Sequence, residues 1–175
     1  YRQRPAVHFT DTRFIDTGNI ADAESETSYG LEAAVISGRF HAAAEGHWLN
    51  LNRSGALADP TFFGGSVEAG FFLTDDTRGY KEGVFKGVKV SNPVGKGGLG
   101  AWQVNARYDR LDLVDAGFVG GTQDAYQASL IWTPVDYVRF LLSYSKLDYS
   151  NAAILAAGDG DYSVDSFAGR FQISF

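Results

Sequence analysis

The sequence predicts an all-β protein of the transmembrane antiparallel β-barrel class, with about eight strands. Three observations predict it. Most long segments alternate apolar and polar residues with a period of two. The connections between them alternate between short and long. The closing segment, AGRFQISF over 168–175, carries an apolar row that ends on Phe175.

Taken in order, the stretch AVHFTDTRFIDTG over 6–18 is expected to hold one less cleanly patterned strand. In 29–36, Tyr29, Leu31, Ala33 and Val35 share a face, with Glu32 opposite. In 39–48, Phe40, Ala42, Ala44, Gly46 and Trp48 oppose Arg39, His41, Glu45 and His47. In 63–73, Phe63, Val67, Ala69, Phe71 and Leu73 oppose Ser66 and Glu68. In 101–109, Trp102, Val104, Ala106 and Tyr108 oppose Gln103, Asn105, Arg107 and Asp109. In 124–133, Tyr126, Ala128, Leu130 and Trp132 oppose Ala125, Gln127, Ser129, Ile131 and Thr133. In 137–147, Val138, Phe140, Leu142 and Tyr144 oppose Arg139, Ser143 and Ser145, with Leu141 as an exception. The last strand aligns Phe167, Gly169, Phe171, Ile173 and Phe175. Each is a strand with one apolar and one polar side. The apolar rows are expected to face lipid, with Phe175 in the periplasmic aromatic girdle. A helical stripe can be drawn through Val138, Leu141, Leu142 and Ser145. The aromatic-rich composition and the Thr133–Pro134 pair before it favour a strand.

Short connections fall at 37–39 and 133–136, and long ones at 51–60, 112–123 and 150–161. That rhythm matches the short periplasmic turns and long extracellular loops of bacterial outer-membrane barrels. Residues 74–97 break it, being long and rich in Lys and Gly where a short turn is expected. A connection of that length is usually functional or disordered.

Composition excludes several classes. With no cysteine in 175 residues there is no disulfide framework and no thiolate metal site. A net charge of -6 argues against a general nucleic-acid binder, which needs a basic face. The start at Tyr1, with no methionine anywhere, is expected of a mature or cut product. His41 and His47 share a face with Glu45, but ~20 Å of strand separates the two histidines, so one metal cannot bridge them. The GDGD at 158–161 lacks the spaced ligands and bidentate Glu of a calcium loop. No nucleophile elbow or phosphate loop is present, so neither a cofactor nor catalysis is expected.

The motif order YRQRPAVHFTDTRFIDTGNI, YGLEAAVISGRFHAAAEGHW, PTFFGGSVEAGFFLTDDTRGY, GAWQVNARYDRLDL and GRFQISF resembles the phosphate-selective porin O/P family nearly end to end. The resemblance implies a 16-stranded trimeric channel for phosphate, pyrophosphate and related anions in the bacterial outer membrane. It implies that this chain is the C-terminal half, supplying the last eight strands. The partners implied are the missing N-terminal barrel half or other chains in a homotrimer, outer-membrane lipid and lipopolysaccharide, and small anions. It also implies that 74–97 is a periplasmic turn bent into the lumen. The family's central constriction loop falls in the part not seen here, so its phosphate site is not carried over. The acidic balance of this half runs against strong anion selectivity.

Arg39, Arg107, Arg139 and Arg170 fall on the polar parity and are the candidate lumenal cations. A guanidinium gives phosphate a permanently charged, bidentate contact. The competing reading pairs each with Glu32, Glu45, Glu68 or Asp109 to stiffen the wall, and for any single Arg it is favoured. Arg78, Lys81, Lys86, Lys89 and Lys96 sit in the long link, where they either attract anions or ride on a solvated loop. Against the porin stands a self-closed eight-stranded barrel with a structural or adhesive role. The many Ala, Ser and Gly on the polar parity favour a wider, wetter lumen. A barrel hydrolase or acyltransferase would need a Ser/His/acid set near the rim. A soluble β-sandwich leaves the persistent apolar face uncovered.

Overall fold

A computed structural model of the chain describes residues 1–5, 10–55 and 57–174. The expected place of Phe175 in a girdle, and positions 6–9 of the N-terminal stretch, lie outside the described residues. Eleven strands run in order: β1 (Arg2–Gln3), β2 (Ile15–Asp16), β3 (Ala23–Ser37), β4 (Phe40–Arg53), β5 (Thr61–Phe72), β6 (Gly79–Lys81), β7 (Val84–Lys86), β8 (Ala101–Asp115), β9 (Phe118–Val135), β10 (Val138–Ser150) and β11 (Tyr162–Ile173). Seven of them form one antiparallel sheet in the order β11-β10-β9-β8-β5-β4-β3. β3 and β11 are its edges and do not pair with each other.

The period-two pattern becomes two unlike faces. Register carries Phe40 to Phe71, Val104, Leu130, Leu142 and Gly169 on one face. The next row on the other face runs His41, Gly70, Asn105, Ser129, Ser143 and Ala168. The apolar face is the exposed one: Leu31 is 75%, Leu142 64% and Phe167 79% accessible. On the polar face His41, Gln103, Thr133 and Ser145 are buried. This is the inverse of a water-soluble sheet, and it is the ordering that lipid outside and water inside demand.

Aromatic residues band the outward face at two heights. Tyr29, Trp48 and Phe63 touch in sequence across β3–β5, with ring centroids 5.8 and 5.2 Å apart. Tyr108 with Tyr126 and Tyr144 with Phe167 continue the band at 5.2 and 4.9 Å. The second band stacks Trp102, Trp132, Phe140 and Phe171 at 5.5, 5.3 and 5.0 Å. The upper band starts in the register of Asp112 and ends in that of Ala106, six positions lower on β8. Six positions are ~20 Å, and the six strand spacings between β3 and β11 are ~29 Å, a slope of roughly 35°. That is the tilt at which membrane barrel strands run.

The N-terminal stretch differs from expectation. Of residues 10–18, only Ile15 and Asp16 are in a strand, and they pair with Gln3 and Arg2 rather than with the wall. Ile15 is fully buried on the inner face with Phe62, Leu113, Ala125, Leu147 and Tyr149. Its apolar side chain reads like a wall residue in the sequence, yet it covers the wall from inside. The long loop expected at 112–123 is also corrected. β8 runs on to Asp115 and β9 restarts at Phe118, leaving Ala116–Gly117 as the turn. Both turn residues have positive φ, 51° and 85°, which matches the right-handed twist of the hairpin. The alternation was masked there by the bulge between Asp112 and Val114. A Cβ at Gly117 meets nothing within 4 Å, so Gly117→Ala isolates the backbone term. A loss of about 1 kcal/mol in urea unfolding is expected. No loss would mean that the turn relaxes freely.

At the opposite end of the sheet the wall turns are short, Gly38–Arg39 and Asp136–Tyr137. The exception is 73–100, which packs Val88 and Val90 against Phe72 and Ala101. Its backbone is tied down by Asp136 accepting from Val90 N–H and Asp76 from Ser91 N–H, each at 2.8 Å.

Candidate functional site

Polar side chains from β4, β5, β8 and β9 converge on the inner face. Its centre is Arg107 on β8. The guanidinium lies 2.6 Å from Asp109, 3.2 Å from Glu68 and 3.5 Å from Glu45. Glu68 is its direct register partner on β5, and Asp109 is the next inward residue on its own strand. Gln127 donates to Asp109 at 2.7 Å and Ser66 donates to Glu45 at 3.0 Å. Nearer the short turns, His41, Gln103, Asn105 and Ser129 form a second ladder, at 3.2, 2.6 and 3.4 Å. A cavity of about 450 Å³ opens above Arg107, bounded by Gln3, Arg4, Pro5 and Gln123. Another of about 300 Å³ lies between Glu32, Glu45, Glu68 and the β6–β7 hairpin.

That hairpin turns through Glu82 and Gly83, both at positive φ, and presents Phe85 edge-on to His41 at 6.1 Å. Arg78 sits over the Phe85 ring at 5.5 Å. Burial lowers the proton affinity of its guanidinium; the Arg139 charge adds to this, and Glu68 opposes it. Arg78 Nε is buried without a hydrogen-bond partner among the described residues.

The candidates therefore separate. Arg107 is held by three carboxylates, as the wall-stiffening reading requires. Arg39 lies in the β3–β4 turn, over the outward ring of Phe71 at 5.3 Å, and donates to Leu73 O at 3.4 Å. It sits 3.7 Å from Asp75. Arg139 and Arg170 occupy inner-face positions on β10 and β11, opposite Gln172 and Leu141. Lys81 is 3.4 Å from Glu82, and Lys86, Lys89 and Lys96 are exposed. Sequence reasoning did not weigh Gln103, Asn105 and Gln127, although all three lie on the polar parity. It could not find Gln3 and Arg4, because nothing local says that the N-terminal segment folds inward.

The whole of residues 1–175 matches the family model described as phosphate-selective porin O and P. The chain belongs to that family. This porin chain is 51% identical over 175 residues to an uncharacterized protein of Caulobacter vibrioides, covering 100% of this chain and 35% of that protein. It is 29% identical over 164 residues to Porin O of Pseudomonas aeruginosa, covering 87% of this chain and 36% of that protein. The porin chain thus spans about a third of the length of these relatives.

Proposed function

We propose that the chain forms part of the wall of a wide outer-membrane channel through which small anions, phosphate and pyrophosphate among them, diffuse passively. The observation that carries this is the open sheet. Seven tilted strands have an aromatic-banded apolar face outward and a wet polar face inward, with β3 and β11 left to pair with further strands. A self-closed eight-stranded barrel would need those two edges to meet. The completing strands come from the rest of a longer chain or from other copies, in a trimeric assembly. The short-turn end faces the periplasm, and the opposite end faces the lipopolysaccharide leaflet. The 73–100 link narrows the periplasmic mouth.

Arg139, Arg170 and Arg78 have no carboxylate within 4 Å among the described residues, whereas Arg107 has three. They are the anion contacts in this reading, with Lys86 and Lys89 at the mouth and Arg39 at the rim. No catalytic step is assigned.

The test is reversal potential and conductance of the full-length protein in a planar bilayer under a salt gradient. An anion-selective conductance that phosphate blocks is the expected result. Arg139→Gln with Arg170→Gln should lower the anion preference severalfold at low salt, with a smaller effect at high salt. A folded protein that conducts nothing would overturn the channel reading.

A further inference from the structure

Charge is unevenly spread around the inner face. Glu32, Glu45, Glu68 and Asp109 hold inner positions on β3, β4, β5 and β8. Arg107 is the wall cation within their reach, and Arg53 holds an inner position at the far end of β4, over the Phe118 ring. The overlying hairpin adds Lys81, which is answered by Glu82 at 3.4 Å, and Lys86, and the N-terminal segment adds Arg4, which is answered by Asp11 at 2.6 Å. Carboxylates remain in excess on this side. β9, β10 and β11 differ. Their inner positions, from Gln123 to Thr133, Arg139 to Tyr149 and Tyr162 to Gln172, contain Arg139 and Arg170 and no Asp or Glu. Arg78 lies between the two sides, within the influence of both Glu68 and Arg139. Glu32 on β3 and Arg170 on β11 stand six strand spacings apart along the wall, ~29 Å, more than three screening lengths at physiological salt, so the two ends are screened from each other there; Glu68 and Arg139, three spacings or ~14 Å apart, meet at Arg78 between them.

We propose that the lumen is divided laterally by charge. The β3–β5 side concentrates cations and the β10–β11 side concentrates anions, so the anion path of the proposed channel runs along Arg139 and Arg170. This rests on the channel reading and names the residues that set selectivity within it. Glu32 and Glu68 are specificity-determining on one side, Arg139 and Arg170 on the other.

The chain contains no cysteine, so single thiols can report the local potential. Ala34→Cys places one on β3 opposite Ala43, two residues from Glu32. Ala168→Cys places one on β11 opposite Ser143, two residues from Arg170. The full-length protein in vesicles is treated with a cationic and an anionic methanethiosulfonate of similar size. The ratio of cationic to anionic reaction rates should be roughly tenfold higher at position 34 than at position 168 at about 0.1 M salt. The two ratios should converge near about 1 M salt. Adding Glu32→Gln and Glu68→Gln should collapse the ratio at 34 and leave that at 168 unchanged. Equal ratios at two reactive positions would overturn the lateral division while leaving the channel intact. Thiols that react only after unfolding would show that the inner face is not water-filled, and would overturn both.

Discussion

Leu142→Arg is expected to destabilise the folded protein by about 2–4 kcal/mol, while Ser143→Arg, one residue along the same strand, costs about 1 kcal/mol or less. Leu142 is 64% accessible, and on a water-soluble protein an exposed Leu→Arg change would be nearly neutral. The cost comes from what covers it. Leu142 lies on the outward face midway between Phe140 in one aromatic band and Tyr144 in the other. A guanidinium there must be drawn into hydrocarbon or must thin the bilayer around it. Ser143 faces inward opposite Ser129 and Ala168, where water can solvate the new charge. Urea titration of folding into phospholipid vesicles, followed by tryptophan fluorescence, would measure both. Equal costs at 142 and 143 would mean that the two faces are not in different solvents, and the membrane reading would fail with them.

Arg107→Met is expected to cost about 1–3 kcal/mol, between the values for exposed and for fully buried ion pairs. Arg107 is 37% accessible, and its partners Asp109, Glu68 and Glu45 are 24, 33 and 44% accessible, so water screens the cluster only in part. Removing the cation leaves three carboxylates facing one another. Their mutual repulsion, more than the loss of any one hydrogen bond, sets the size of the effect. Arg107→Lys keeps the charge but not the planar fork that reaches three partners, so it should recover only part of the stability. In the channel, Arg107→Met should also move the reversal potential toward cations, most at low salt. Full stability in Arg107→Met would mean that the cluster is solvated in the folded state and contributes nothing to holding β4, β5 and β8 together.

Some of this was readable in the chain. Tyr29, Leu31 and Val35, or Phe140, Leu142 and Tyr144, fall on one parity because adjacent strand residues point to opposite faces, a rule that needs only neighbours. Each strand assigned from that rule is present, and the hairpin order follows from connection length. The errors have a common origin. The stretch 6–18 was expected to add one more strand, although its apolar Phe14 and Ile15 instead seal the inner face. The β8–β9 hairpin was read as a loop because a bulge broke its period at Asp112.

What the sequence determined by itself is therefore the sheet: its strands, their outward and inward sides, and the family to which the motif order points. That information is local, carried by residues one or two positions apart. What only the tertiary structure decided is which inner-face groups remain available. Arg107, Arg139 and Arg170 look alike along the chain. Register places Glu68 beside Arg107, with Glu45 and Asp109 in reach, while Arg139 and Arg170 meet Gln172 and Leu141 instead. Those partners lie between two and some sixty residues away, and a shift of one residue in pairing would exchange every one of them.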